Sequence, residues 1–370
     1  MEDAISVAKA EIVKKAVDLQ VIVDGNLGDP DLCEGFLAEG KLDFIGLGRP
    51  LRADPEWPQK VRGGKPEEIC LCIRCMDCFT RTNAGKFIGY SVNARLGRER
   101  EWPVMLAPTP KKILVVGGRP GGMEAARTAA RRGHDVTLVE KDNNLGGHLL
   151  EASAPALKSL IAKYRLWLER QVRKSGVKVQ VGLEATAELV QEMHPDVIIV
   201  ATGSVPSSPN VPGIDRKNVV QAVNFLRGEV RVGPKVVIVG GGLVGCEAAL
   251  CLSGVDKSIV IIEMLPEILA DVSIFSKFTL MEKMREVSIR WLTATNLLEI
   301  NENEVVAENS LGKNNFVADT IILATGFLAD DQLHRILEDK GYEVYKIGDC
   351  LNPGKIFDAV HNAYTIAKDL

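Results

Sequence analysis

A chain of 370 residues holds two or three domains at roughly 100–200 residues each, and its 46% apolar and 25% charged residues are those of an ordinary globular protein. A net charge of −4 with no Lys/Arg run excludes nucleic acid and an anionic membrane surface as electrostatic partners. No apolar run approaches the ~18–20 residues of a membrane span, and the start MEDAISVAKAEIVKKAV lacks an apolar signal core, so an amphipathic helix in a cytoplasmic protein is expected.

Beyond that helix, VIVDG (21–25), the helical stretch DPDLCEGFLAEG (29–40) and DFIGLGRP (43–50) read as strand, helix, strand with short glycine-bearing connections, as in parallel α/β folds. Four of the eight cysteines follow closely spaced: Cys70, Cys72, Cys75 and Cys78. A disulfide framework would spread them along a small secreted chain, so a reducing compartment and a metal or cluster site fit better. The C-x-x-C-x-x-C spacing of Cys72, Cys75 and Cys78 is that of three thiolates on one iron–sulfur cluster, with a fourth ligand from elsewhere. Zinc competes, although its sites pair two separated C-x-x-C or C/H units and no second unit exists here. Clustered thiols without a metal remain the third reading. The Pro-containing EWPVMLAPTPKK (101–112) reads as a linker.

The stretch KKILVVGGRPGGMEAARTAARRGHDVTLVEK (111–141) is a strand, a glycine turn, a helix and a second strand ending in an acid. That is how a chain wraps a dinucleotide pyrophosphate. Gly117 and Gly122 fill the first and third glycine positions of G-x-G-x-x-G, with Gly118 beside the first, while Arg119 stands where backbone must approach the phosphates. Two readings of Arg119 are open: its side chain fills space the pyrophosphate needs, or its guanidinium pairs with phosphate. Glu140 and Lys141 end the second strand, Gly146-Gly147 follow, and VIIVATGS (197–204) carries Thr202 and Gly203.

The pattern then repeats. KVVIVGGGLVGCEAALCLS (235–253) has an intact turn in Gly240, Gly241, Gly242 and Gly245, with Val244 opening the helix. Glu263 ends the next strand, placed to accept from a ribose 2′-OH, and TIILATGF (320–327) carries Gly326. An acid at 263 favours NAD over NADP, because a 2′-phosphate would meet like charge. A repeat of this size means two nucleotide-binding modules. His134 in RRGHD is expected to face solvent, Cys246 and Cys251 to pack behind the second turn, and ENEVV (302–306) to form a hairpin tip. No catalytic side chain is assigned, His148 and His361 included.

These motifs, in this order, resemble the multidomain flavin oxidoreductases of the 2,4-dienoyl-CoA reductase, 2-enoate reductase and trimethylamine dehydrogenase group over essentially the whole chain. DFIGLGRPLRADPEWPQKVRGGKPEEI is similar to the last barrel strand and the helix leading to a four-iron cluster, and SVNARLGRE to the segment just past that cluster. VVGGRPGGMEAA resembles the flavin turn, and IGDC with KIFDAVHNAY the closing flavin segment. The resemblance implies an α/β fold: a partial (β/α)₈-barrel end at 1–66, a cysteine segment and linker at 67–110, and two interleaved Rossmann-like domains. Of these, FAD binding occupies 111–230 and 328–370, and NAD(H) binding 231–327.

It also implies site residues. FAD would lie along Gly117, Gly118, Arg119, Gly122, Glu140, Lys141, Gly147, Thr202, Gly203, Gly348 and Asp349, with Asp349 on a ribityl hydroxyl. NADH would lie along Gly240, Gly241, Gly242, Val244, Gly245, Glu263 and Gly326. Gly25, Asn26, Gly48 and Arg49 would meet an FMN phosphate, near the last two strands of a parallel barrel. A 4Fe-4S cluster would sit on Cys72, Cys75 and Cys78.

Three positions depart from the group's pattern. The chain starts just before the seventh barrel strand, so FMN needs a barrel supplied by a partner or a missing N-terminal part. Tyr90 stands where the fourth cluster cysteine is expected, with Cys70 as a substitute. Arg119 replaces a glycine. The function implied is the electron-input half of an NADH-dependent flavin oxidoreductase. The alternatives are a catalytically degenerate NAD-binding remnant and a diaphorase subunit docking on a separate partner.

Overall fold

The structure is a computed structural model that describes residues 4–254 and 257–370. The first three residues of the expected N-terminal helix lie outside the described residues, and the helix itself runs Val7–Ala16. Behind it, Ile22–Val23 and Phe44–Ile45 form a short parallel pair joined by the helix Pro30–Ala38. That helix starts cleanly because Asp29 accepts from the Asp31 amide and Pro30 needs no hydrogen-bond acceptor in the first turn.

Two five-stranded parallel sheets dominate. The first orders its strands Val344–Lys346, Val197–Val200, Lys112–Val116, Asp135–Glu140 and Lys178–Val181. The second orders Arg290–Leu292, Ser258–Ile262, Lys235–Val239, Thr320–Leu323 and Val219–Gln221. Central strands such as KILVV and KVVIV are buried except at their first lysine, since both faces of each parallel sheet are covered. In the first layer, the helix Pro120–Arg131 packs against the closing helix Ile356–Ala367 through small residues: a Cβ at Gly121 would come within 3.3 Å of the Ala359 carbonyl.

The strand Val219–Gln221 pairs with Thr320–Leu323, so the second sheet takes a strand from within the stretch 111–230. The antiparallel meander Asn296–Ile300, Glu304–Asn309 and Gly312–Val317 covers the other side of that sheet, with residues 301–303 at its first turn. The chain crosses between the sheets twice, and the two crossings pair as antiparallel strands, Ser204–Pro206 with Phe327–Ala329. Both Ala-Thr-Gly threonines stitch this strap: Thr202 Oγ1 donates to the Asp330 carbonyl at 2.5 Å and Thr325 Oγ1 to the Ser207 carbonyl at 2.7 Å.

Two expectations are corrected. His134 is buried, because the Lys111 amide donates to its Nδ1 at 3.0 Å and its Nε2 donates to the Leu370 carbonyl at 3.2 Å, tying both ends of the first layer together. Burial accordingly lowers its pKa. Cys251 is exposed; only Cys246 packs behind the turn, its thiol on the Gly241 carbonyl. The linker is also pinned down, as Tyr364 donates to the Trp102 carbonyl at 2.9 Å and stacks on its ring.

Candidate dinucleotide and cluster sites

The two glycine turns have the same geometry. Gly117 and Gly240 both have φ near +105°, a conformation that favours glycine, and a Cβ on either would lie 2.3 Å from a carbonyl of the neighbouring strand end. A Cβ on Gly122 or Gly245 would strike the carbonyl of the first glycine at 1.9 or 2.0 Å, so helix and strand can pack this closely only without side chains. Glu140 accepts from the Gly118 amide, and Glu263 from the Gly241 amide, each at 2.6 Å. Each carboxylate braces the turn it serves, and both are buried.

The turns differ at the middle position. Gly242 sits at φ −69°, ψ −173°, and a Cβ there would meet nothing within 4 Å, which leaves the helix N-terminus open to an anion. Arg119 has nearly the same backbone, φ −74°, ψ 171°. Its side chain fills the corresponding space: it runs across Gly147, whose Cβ position is 2.4 Å from Arg119 Cγ, and across Gly203, whose Cβ position is 2.4 Å from the guanidinium. Nη2 donates to the Ser204 carbonyl at 3.2 Å, while Nη1 is buried without a hydrogen-bond partner. The arginine thus occupies the space beside Gly147 and Gly203, with its Nη1 left unpartnered.

At the far end of that space, Asp349 Oδ1 accepts from the Gly354 amide at 3.1 Å and Oδ2 from Ser204 Oγ at 3.3 Å. Gly348, in the left-handed region at φ +64°, makes the bend that presents it. Ser204 leads on to His148, whose Nε2 donates to the Ser204 carbonyl at 3.3 Å and whose Nδ1 bonds Glu151. Glu151 is also paired with Arg227 at 3.0 Å, so this network joins the first layer to the second. Ser204, Glu151 and Arg227 are absent from the sequence reading, and contacts across 56 to 145 residues leave no local pattern that could reveal them.

Burial acts to raise the Glu151 carboxyl, but hydrogen bonds and charge from His148 and Arg227 outweigh it and hold the pKa below its ordinary 4.5. The pair therefore stabilises the fold fully above that ordinary value and loses its effect as pH falls through the lowered one. Glu151→Gln is expected to cost about 2 kcal/mol at neutral pH and less than half of that near pH 3, read from urea melts at both pH values. An equal cost at both would show that the carboxylate charge contributes nothing.

Cys72, Cys75 and Cys78 wall a small cavity with Tyr90, Ser91 and Arg49. Arg74 and Met76 adopt left-handed backbone at φ +55° and +61°, which bends the segment around that cavity, and Cys78 lies in the helix Asp77–Asn83. Among the described residues no group of three or more His, Cys, Asp or Glu is arranged to hold a metal ion. Cys70 lies outside this cavity, with its amide on Asp54 and its thiol 4.0 Å from the Val92 carbonyl. It faces a cleft of about 240 Å³ that Gly25, Asn26, Gly48 and Arg49 also line, Arg49 donating to Asn26 Oδ1. Cavity and cleft share Arg49, Cys72 and Arg74.

Residues 111–366 match the family of the pyridine nucleotide-disulphide oxidoreductases. The chain belongs to that family. It is 41% identical to an NADH oxidase of Thermoanaerobacter brockii over 97% of this chain and 56% of that protein. It is 34% identical to a cinnamate reductase of Clostridium sporogenes over 97% of this chain and 54% of that one. The solved 2-naphthoyl-CoA reductase in complex with 2-naphthoyl-CoA superposes on all of this chain with a TM-score of 0.96 at 33% identity, using 57% of its own length. The chain thus spans a little over half the length of these relatives. The resemblance to the multidomain reductases holds along the chain, outside the family match as well as within it, and supports a flavoprotein oxidoreductase using FAD and NAD(H).

Proposed function

We propose that this chain is the electron-input part of an NADH-dependent flavin oxidoreductase of the enoate-reductase kind. Electrons would pass from NADH by way of FAD and a four-iron cluster toward FMN and an activated C=C bond. The observation that carries this reading is the open second turn, with Glu263 in place, strapped to a first module of the same geometry. Bound in these places, the cofactors supply hydride acceptance, single-electron transfer and reduction of the double bond.

The chain's own residues bind and orient. Glu263 takes the nicotinamide nucleotide's ribose, and the amides opening Leu243–Leu252 take its pyrophosphate. Glu140 and Asp349 mark the two ends of the flavin slot. Soft thiols of Cys72, Cys75 and Cys78 around one cavity suit the corners of an iron–sulfur cluster better than a single ion. The neighbouring cleft, with Arg49, Arg52 and Lys163 on its wall, suits the FMN phosphate. That cleft needs the rest of a barrel, from a longer chain or a partner, and the exposed Ile12, Leu19, Ile22 and Phe44 of the two-stranded end offer the apolar surface for it. Eight free cysteines suit a reducing cytoplasm, and among the described residues no helix is long and apolar enough to cross a membrane.

The test is anaerobic turnover of NADH with an artificial dye after loading with FAD. Steady oxidation is expected, with NADPH at least about tenfold slower because Glu263 meets its 2′-phosphate. No turnover after flavin loading would overturn the proposal in favour of an inert NAD-binding remnant.

A further inference from the structure

The helix Ser159–Lys174 belongs to the first layer, yet one stripe of it serves the two-stranded end of the chain. Leu160 and Lys163 line the cleft that holds Arg49. Trp167, Gln171 and Lys174 continue that stripe at helical spacing. Trp167 Nε1 donates to the Glu68 carbonyl at 2.9 Å, Gln171 Nε2 donates to Glu68 Oε2 at 3.0 Å, and Lys174 Nζ pairs with Glu68 Oε1 at 2.6 Å. Elsewhere on the helix, Arg165 Nη1 donates to the Leu145 carbonyl at 3.2 Å, next to Gly146 and Gly147. The helix is thus held both to the cysteine segment and to the first glycine module, which fixes where Lys163 stands. The Lys163 ammonium forms no ion pair among the described residues. The cleft wall carries Arg49, Arg52, Arg74 and Lys163 against Asp24 and Asp29, and Asp29 already caps the helix Pro30–Ala38. This excess of positive charge suits a phosphate dianion.

We propose that Lys163 is a specificity residue of this cleft: the first layer lends a cation to the flavin phosphate, so that FMN is favoured over riboflavin. This rests on the FMN reading of the cleft above. Arg49, Arg52 and Arg74 come from the two-stranded end and the cysteine segment, and Lys163 comes from the helix of the first layer. A phosphate bound here therefore bridges the two parts of the chain. The ammonium acts as a point charge on a flexible stem, so its contribution is electrostatic and a guanidinium at the same place keeps most of it.

The test is calorimetric titration of the chain with FMN and, separately, with riboflavin, at about 0.15 M salt and in saturating FAD so that the flavin slot is already filled. Wild type is expected to bind FMN at least about tenfold more tightly than riboflavin. Lys163→Met is expected to weaken FMN about tenfold and to leave riboflavin within about twofold, while Lys163→Arg stays within about threefold of wild type for FMN. Lys174→Met removes the same charge from the same helix roughly 16 Å further along, beyond a Debye length, so its FMN affinity is expected to match wild type. Unchanged FMN affinity in Lys163→Met, an equal loss for riboflavin, or an equal loss in Lys174→Met would overturn the role of Lys163 while keeping FMN in the cleft. No preference of the wild type for FMN over riboflavin would overturn the FMN reading of the cleft together with Lys163. Turnover of NADH with a dye through FAD is measured apart from either result, so failure here is distinct from failure of the electron-input reading. Lys163 is exposed, so the variants are expected to fold, which circular dichroism checks; if Lys163→Met does not, Lys163→Gln decides.

Discussion

Replacing Arg119 by glycine is expected to tighten FAD binding by about tenfold, or ~1.4 kcal/mol. The side chain occupies the space beside Gly147 and Gly203, which the flavin dinucleotide would need on the proposed reading. Clearing it breaks one hydrogen bond to the Ser204 carbonyl and removes a buried Nη1 that has no partner. The backbone at φ −74° suits glycine as well as arginine, so the turn keeps its shape. Titration of the flavin-free protein with FAD, followed by flavin fluorescence, measures the change. Weaker binding by the glycine form would mean that the guanidinium swings out and pairs with the pyrophosphate.

The reciprocal change, Gly242→Arg, is expected to weaken NADH binding about a hundredfold, ~2.7 kcal/mol, while leaving the melting temperature within about 2 °C. Gly242 is not a strained position: its φ of −69° and ψ of −173° are ordinary extended backbone, and a Cβ there meets nothing within 4 Å. On the proposed reading the free volume is the ligand's, so the cost would fall on binding and not on folding. Calorimetric titration with NADH and a thermal melt read the two effects separately. A large loss of stability with unchanged affinity would mean that the glycine serves the turn and not the cofactor.

The two modules were legible because each turn is a local pattern. Strand, glycines, helix and acid fall within about thirty residues, and steric need fixes glycine at 117, 122, 240 and 245. Arg119 could be flagged from the sequence but not resolved, since its effect depends on Gly147 and Gly203, which reach it only through the fold. The same holds for Ser204: the second Ala-Thr-Gly ends in Phe327, so the repeat offers no parallel for a hydroxyl at that place. His134 was misread because a histidine after Arg-Arg-Gly resembles a turn tip, whereas its partners are a strand start and the last residue of the chain. Tyr90 was flagged by its place three residues before Asn93, where the resemblance expects a cysteine, but only its hydrogen bond to Cys72 shows where its hydroxyl points.

The paired crossings between the sheets set a limit on how the molecule can move. With both passages hydrogen-bonded side by side and each threonine tied to the opposite passage, the strap would permit a hinge about its own line and resist twisting or sliding of one layer over the other. On the proposed reading, a dinucleotide held by the second layer and a flavin held by the first would meet with their mutual orientation largely settled in advance. Less rotational entropy is lost when the two are brought face to face.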